Sequence, residues 1–500
     1  MRLTWLILAL LVTGWAAQAG AQVPVRQPDQ QLTGTITRAD YQRYRAVPFS
    51  VPRGTVRLVV AFDYDQRAQK TVIDLGVEDQ HGLRGSSGGN KADFTIGESD
   101  ATPSYLPGRI EPGRWRLVLA VPNIRPGITA RWTARIWYLR AAEAELAAPL
   151  VADRGSGWYR GDLHLHSAHS DGTCPSQSGK RVPCPVFKTL ETAAERGLDF
   201  VAITDHNTTS AQAAIREAQP YFDRLLLIPG REITTFFGHF NIFGVSAPID
   251  YRVTPNGPVS FNAIADRVHA LGGLVSINHP ALPSGEPCMG CGWAMPGADL
   301  ARVDAIEVVN GGAALLPGGV EGPLSGRAFW LKALSAQRPV TAIGGSDNHD
   351  GAQTAPIAGS VGRPTTVVWA DGLTQRAILA GLRAGRVFID IGGMAESMLD
   401  LRVSNGRTTA EMGSILRAAT SDQLIAHMTV QAMPGARLDL MAGDAVITSV
   451  AIDGARDVDL PIDRQDRPLI VRAVVRAPDG KVILMSNAVT ISGANGSDRP

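Results

Sequence analysis

The sequence predicts an α/β protein in which a barrel-like run of alternating strands and helices, residues 151–391, is flanked by two β-rich segments, residues 22–150 and 392–500. Three observations predict it. Short apolar runs of buried-strand composition recur at 199–204, 225–228, 274–277, 305–309 and 340–343 with helical spacings between them, and that alternation argues for parallel sheet joined by crossover helices. On either side of this region the pattern changes to short runs rich in strand-forming residues, several of them alternating polar and apolar. The chain's 500 residues also exceed what one core needs, since domains usually run to about 100–200 residues.

Taken in order, Arg2, the apolar residues 6–12 and the small residues Ala19-Gly20-Ala21 form the pattern of a secretory signal occupying residues 1–21. Its apolar part is shorter than the ~20 residues a spanning helix needs. The expected location is therefore periplasmic or secreted, with no stable membrane anchor after signal cleavage. In residues 22–150 the clearest strands are 54–60 and 114–120, and turns such as Pro107-Gly108 and Pro112-Gly113 separate such runs, which fits a small β-sandwich. The Ala-rich stretch 141–148 reads as a linker. Within the central region Phe261, Ile264, Ala265, Val268 and Leu271 mark a helix closed by Gly272-Gly273. A last helix over 373–384 leads to a strand at 386–391, and strands at 399–403, 427–431, 469–477 and 481–484 then predict a second sandwich-like module.

Composition narrows the function classes. With 44% hydrophobic and 19% charged residues the chain is globular in character. A net charge of +1 without a long Lys/Arg run lacks the electrostatic footprint of a nucleic-acid binder. Four cysteines, 174, 184, 288 and 291, in an exported chain point to disulfides. Of the three pairings, Cys174–Cys184 with Cys288–Cys291 is preferred, because each bond would staple a Pro/Gly-rich loop. The competing reading, a Cys-x-x-Cys zinc half-site, lacks an obvious partner pair. Disulfide bonding would also remove the thiolates that cysteine catalysis requires.

Eight of the ten histidines fall between His164 and His349, several at the C-terminal ends of predicted strands, where βα barrels place their active sites. In Asp162-Leu163-His164-Leu165-His166 the two imidazoles share one face, because strand side chains alternate with a period of two, and so offer two nitrogens to one metal. Ser170-Asp171-Gly172 follows, Thr204-Asp205-His206-Asn207 ends the next strand, and Gly230-Arg231-Glu232 the one after; Gly238-His239, Asn278-His279-Pro280 and Gly345-Ser346-Asp347-Asn348-His349 complete the series. Asp205 reads as a partner that orients a ligand through its other ring nitrogen. Arg231 is either an anion-facing cation or an ordinary ion-paired residue. His169 matches no ligand position, His269 sits inside a helix, and His81 and His427 lie outside the central region.

This series resembles the PHP (polymerase and histidinol phosphatase) superfamily of metal-dependent hydrolases over about 230 residues. Residues 159–350 are most similar to its carbaryl-hydrolase (CehA/McbA) branch, whose members also carry an N-terminal β domain. The resemblance implies a distorted, TIM-like (β/α)7 barrel and two or three divalent transition-metal ions, Zn, Mn or Fe, which suit mixed imidazole and carboxylate donors. His164, His166, Glu232 and Asp347 would hold the first ion; Glu232 would bridge to a second held by His239 and His279; Asp171, His206 and His349 would hold a third. The family sometimes has histidine where Asp171 stands. The implied activity is hydrolysis of a small-molecule ester by a metal-activated water, with Glu232, Asp347 and His206 as catalytic residues, the last two able to pass a proton to the leaving group. The superfamily favours phosphate esters, whereas the closer branch includes carbamate hydrolases, and carboxylic esters or amides need the same site. A non-enzymatic binding or scaffold protein on a decayed barrel is the reading from another class, and the complete ligand set argues against it.

Overall fold

The computed structural model describes residues 23–89, 91–145, 151, 154–286, 288–336, 339–463 and 468–493. The expected signal and the end of the expected linker lie outside the described residues. Eight strands come first. In β7 (Gly113–Asn123), Trp115, Leu117, Leu119 and Val121 are buried between more exposed neighbours, the period of two that turns one face of a strand inward. β7 pairs with β2 (Tyr44–Val51) and β4 (Val72–Glu78), and β5 (Leu83–Ser87) completes that antiparallel sheet. A second antiparallel sheet joins β1 (Gln30–Thr37), β8 (Thr129–Leu139), β3 (Arg57–Tyr64) and β6 (Asp93–Gly97). Phe49, Phe94, Trp115 and Ile136 belong to one core shared by both sheets.

The expected linker begins instead as a short helix, α1 (Ala141–Glu145). Its last residue explains why: the buried Glu145 carboxylate accepts hydrogen bonds from the Ser246 backbone N–H and hydroxyl and from the Ala247 N–H. Buried Asp100, between β6 and β7, bonds both Arg57 and Arg216.

The central region is mixed α/β, with large sheets and few helices. β9 (Gly157–Leu165), β12 (Phe200–Ile203) and the first half of β13 (Leu226–Thr235) run parallel, as do β15 (Leu274–Ile277), β16 (Ala305–Asn310) and β17 (Thr341–Gly345). Between β9 and β12 lie the small hairpin β10 (Thr173–Pro175) and β11 (Arg181–Pro183) and helix α2 (Val186–Glu195); α3 (Gln212–Ala218) precedes β13. The expected uniform parallel βα alternation breaks after β13. Thr235 Oγ1 accepts from the Phe237 N–H and donates to the Gly238 carbonyl, and Gly238 takes a positive φ that suits a tight reversal. The apolar run Gly238–Phe243 therefore folds back as β14, antiparallel to both β13 and β15, where the sequence reading had only a ligand histidine. Helix α4 (Phe261–Ala270), capped by Ser260, leads into β15, whereas among the described residues between β15 and β16 a single 3-10 turn is the only helix. Helices α5 (Gly311–Ala314) and α6 (Arg327–Ser335) precede β17. β18 (Thr365–Ala370) pairs antiparallel with β9 and with β19 (Val387–Asp390), separated from it by α7 (Gln375–Ala384), which Thr374 caps. β17 approaches β9 through the buried Asp162 carboxylate, which accepts from the N–H groups of His164, Ser346 and Gly362.

The sheet continues past residue 391, because β19 pairs with β26 (Val482–Ser486). Around it lie β20 (Met398–Ser404), β21 (Thr409–Glu411), β22 (Ile415–Ala418), the long hairpin β23 (Leu424–Ala442) and β24 (Ala445–Ile462), β25 (Leu469–Arg476) and β27 (Val489–Gly493). Leu401, Leu438, Val471 and Leu484 share the core of this module. No described helix is long and apolar enough to cross a membrane.

One close approach fixes how β9 and β12 lie together, and with them their terminal histidines. A Cβ on Gly161 would sit 2.3 Å from the Phe200 ring, which is fully buried. Gly161→Ala is expected to lower unfolding stability by about 1–3 kcal/mol, the usual cost of overpacking. A reduced urea midpoint followed by tryptophan fluorescence would show it; an unchanged midpoint would mean the contact is slack.

Candidate metal centre

Six strands of the central region, or the loops that follow them, contribute the potential donors. β9 and its exit supply His164 and His166; the loop that follows supplies Asp171; His206 follows β12; Glu232 lies within β13; His239 opens β14; His279 follows β15; Asp347 and His349 follow β17. The Asp171 loop is held by the disulfide Cys174–Cys184, which ties β10 to the residue just after β11, and by hydrogen bonds from Cys184 N to Gly172 O and from Ala168 N to Cys184 O. His279 and Asp347 both take positive φ, at 28° and 53°. Such conformations persist only where the surroundings over-determine them, and they cluster at functional sites.

The other eight side chains assemble around Glu232, which is 1% exposed. Glu232 Oε2 lies 3.4 Å from His164 Nε2, 3.6 Å from His166 Nε2 and 2.9 Å from His206 Nδ1. Its other oxygen faces a different pair, 3.4 Å from His239 Nδ1 and 3.5 Å from His279 Nε2. Asp347 Oδ1 stands 3.3 Å from His164 Nε2 and 3.1 Å from His166 Nε2. Asp171 Oδ2 is 3.6 Å from His206 Nε2 and 3.3 Å from His349 Nε2, and its Oδ1 is 3.8 Å from His166 Nδ1. These separations suit a shared ion, since tetrahedral ligands ~2.1 Å from a metal stand ~3.4 Å apart.

Among the described residues three sets of donor atoms lie mutually within 4.8 Å: His164, His166 and Asp347; His166, Asp171, His206 and His349; and His239, His279 and Cys291. Two members were not expected there. His166 adjoins the third set as well as the first, and Cys291 adjoins the second.

Unpartnered atoms test the fit to a metal. His164 Nδ1 lies 2.9 Å from Glu307 Oε1, and its Nε2 is buried with no hydrogen-bond partner. His279 Nδ1 is likewise buried and unpartnered. A buried polar atom without a partner is costly, and a cation among the carboxylates would satisfy His164 Nε2, while His279 presents Nε2 rather than Nδ1 to Glu232.

Electrostatics point the same way. Burial opposes charge on every group here. At His206 the hydrogen bonds to Asp171 and Glu232 overcome it and raise the imidazole to about 10. His164, His279 and His349 are also raised against burial by their carboxylate neighbours, whereas at His166 burial prevails and the pKa falls. Despite burial, Glu232 and Asp347 are held well below the ordinary carboxylate range, chiefly by the charge of His164, and Asp171 by hydrogen bonds from His206 and His349.

Several supporting residues escaped the sequence reading. Glu307, in the middle of β16, accepts from the His279 backbone N–H and from Asn310 Nδ2 in addition to contacting His164. Asn278 Nδ2 donates to Glu232 Oε1, and Asn310 Nδ2 donates to Asp347 Oδ2. A carboxylate inside an otherwise apolar strand was the available signal for Glu307. Asp205 contacts no ligand ring directly: it accepts from the Ser167 N–H and from the hydroxyls of Ser167 and Ser170, and Ser170 Oγ lies 3.4 Å from His166 Nδ1. Arg231 alternates away from Glu232 along β13 and donates to the Ala247 carbonyl, so it is not a cation facing the site. His169 meets Ser210, and His269 meets Asp304.

No family model matches the chain, and no curated protein matches it. Among solved structures it is similar to a Bifidobacterium adolescentis protein provisionally described as a metal-dependent phosphoesterase, at 17% identity and TM-score 0.26 over 40% of this chain and 91% of that one. It is also similar to Xylanase10C from Cellvibrio japonicus, at 9% identity and TM-score 0.15 over 62% of this chain and 59% of that one. Likenesses this slight carry no weight for the site, whose reading rests on its own residues.

Two predictions follow from the geometry. Glu307→Gln places an amide where oxygens now receive the His279 N–H and the Asn310 amide, and should weaken metal binding by roughly 10–100-fold in a competition titration; unchanged affinity would remove Glu307 from the site. Because His206 is raised above its ordinary 6.5 to about 10, it carries a proton at pH 7 in the metal-free protein, and a ligand imidazole must be neutral. Metal uptake should then release protons, and affinity should climb as pH rises from 6.5 towards 10. Calorimetry in buffers of different ionisation enthalpy would detect the release; equal heats would contradict it.

Proposed function

We propose that this chain is an exported PHP-type metal-dependent hydrolase that holds two or three divalent transition-metal ions and acts on small-molecule esters, phosphate esters first. The observation that carries the reading is Glu232, whose two oxygens face two separate histidine sets. A carboxylate so placed can bridge ions at the ~3.5–4 Å spacing of two-metal hydrolases. Metal ions there would supply Lewis acidity and lower the pKa of a coordinated water from 15.7 to about 7.

The protein's own part is to hold and orient. His164, His166, His239, His279 and Glu232 are buried and keep water from the far side of the centre. Asp347 and His206 are partly exposed, which places them where a proton can pass to a leaving group. Asn310 fixes Asp347, and Thr234 Oγ1 lies 2.6 Å from His206 Nδ1, which leaves Nε2 of His206 free toward Asp171. Asp171 and His349 complete the more open set. In this reading residues 151–391 form the PHP unit, a distorted seven-stranded barrel, between the two β modules.

A second substrate reading has its own observation. Phe236 and Met289 are 80% and 76% exposed and lie in the two loops beside His239. Apolar surface at that position favours aryl or other apolar esters, including carbamates and carboxylic esters, as in the carbaryl-hydrolase branch.

Metal analysis together with turnover on aryl phosphate, aryl carbamate and aryl carboxylate esters tests the proposal. Chelation should abolish activity. Glu232→Gln should lower metal content and rate by at least the ~10–100-fold typical of a lost ligand contact, while His349→Ala should remove mainly one ion. If Glu232→Gln keeps full occupancy and rate while His349→Ala loses all metal, Glu232 does not bridge. Full activity in chelator would refute the hydrolase mechanism itself.

A further inference from the structure

Cys288 and Cys291 are paired as a disulfide on the loop that covers the second donor set. The two sulfurs differ in surroundings. Cys291 is 0% exposed and brings its sulfur within 4.8 Å of one ring nitrogen of His239 and one of His279, whereas Cys288 is partly exposed. The same loop touches the site a second way, because the Met289 carbonyl lies 3.2 Å from His239 Nε2 and so turns Nδ1 toward Glu232. His279 turns Nε2 toward Glu232, and its Nδ1 is buried without a hydrogen-bond partner. Gly290 sets the loop's path: its φ is +79°, and a Cβ there would sit 2.1 Å from the Thr235 carbonyl oxygen.

We infer that the Cys288–Cys291 bond is a reversible thiol gate on this metal site, and that Cys291 is a metal ligand when the bond is open. The inference rests on the reading of His239 and His279 as metal ligands. With the disulfide closed, His239, His279 and Glu232 offer two nitrogens and an oxygen. Opening it adds a thiolate, a softer donor that favours zinc over harder cations.

The reductant is a dithiol. Its thiolate attacks the accessible Cys288 sulfur, the S–S bond breaks, and the electron pair leaves on Cys291 as a thiolate facing the metal site. The dithiol's second sulfur then displaces Cys288 from the mixed disulfide and gives up its proton to it. Two electrons have passed from the dithiol, now a cyclic disulfide, to the protein. The exposure difference sets the direction of attack, since the buried sulfur is the leaving group.

The test uses the full chain, stripped of metal and titrated anaerobically with Co²⁺. Oxidised protein should bind Co²⁺ without a thiolate charge-transfer band in the near ultraviolet. Protein reduced with dithiothreitol and then desalted should show the band, with apparent Co²⁺ affinity raised by roughly 10–100-fold, the scale on which single contacts to a ligand set act. Cys288→Ser leaves Cys291 unpaired and should show the band with no reductant, while Cys291→Ser and His239→Ala should lack it under all conditions. Co²⁺ bound by Cys288→Ser with no charge-transfer band overturns Cys291 as a ligand. Persistence of the Cys288–Cys291 bond in excess dithiothreitol, read by thiol alkylation and peptide mass, overturns the gate. Failure of the oxidised protein to bind Co²⁺ at all refutes the metal-site reading beneath it, a different result from either.

Discussion

A buried negative charge organises this molecule. Removing a carboxylate from water costs several kcal/mol per ion even after relaxation, and Glu232 is buried inside β13 with imidazoles and an amide around its oxygens. Neutral imidazoles cannot offset that cost, so Glu232 requires cations, whether protons on the surrounding rings or metal ions between them. The raised pKa of His206 and the depressed pKa of Glu232 are two expressions of this requirement. Strand order then becomes a problem of bringing enough imidazoles to one point, and the antiparallel β14 solves part of it. By reversing at Gly238, the chain returns His239 to the neighbourhood of Glu232 within seven residues, which a crossover helix could not do.

A second buried carboxylate keeps the rings in place. Glu307 sits on β16, receives the His279 N–H and contacts His164, so two donors on opposite sides of the centre are tied to one strand. The tie also sets the tautomer: with Nδ1 of His164 engaged, Nε2 is the nitrogen left to face Glu232 and Asp347. Metal-bound histidines characteristically use their other nitrogen in this way. The role expected of Asp205 is thus filled by Glu307, while Asp205 holds the loop between β9 and β10 through Ser167 and Ser170.

The legibility of these features followed from how local their causes are. His164 and His166 could be paired from sequence because strand alternation alone puts them on one face. The helix 261–271 was visible because its apolar spacing and its Ser260 cap are both local. Glu307 was hidden because its partners, His164 and His279, are brought to it only by the sheet. The β13–β14 reversal was hidden as well: its turn, Thr235-Phe236-Phe237-Gly238, carries no Asn-Gly or Asp-Gly signal and depends on the Thr235 hydroxyl. The Cys-x-x-Cys motif was set aside for want of a partner pair, and the partners beside Cys291 prove to be His239 and His279, 52 and 12 residues away in sequence.

The three donor sets are not equivalent, and the difference follows from the loops that carry them. His164, His239 and His279 lie in or directly after strands and are buried. Asp171 and His349 come from loops and are exposed by half or nearly so, and water can replace either ligand without disturbing a strand. The disulfide hairpin beside Asp171 offsets this freedom in part, since Cys184 is fully buried and bonds back to Gly172. An open set beside two closed ones suits a division of labour in which the buried donors fix charge and geometry. Under the proposed function, the exposed donors are the ones left to meet a substrate.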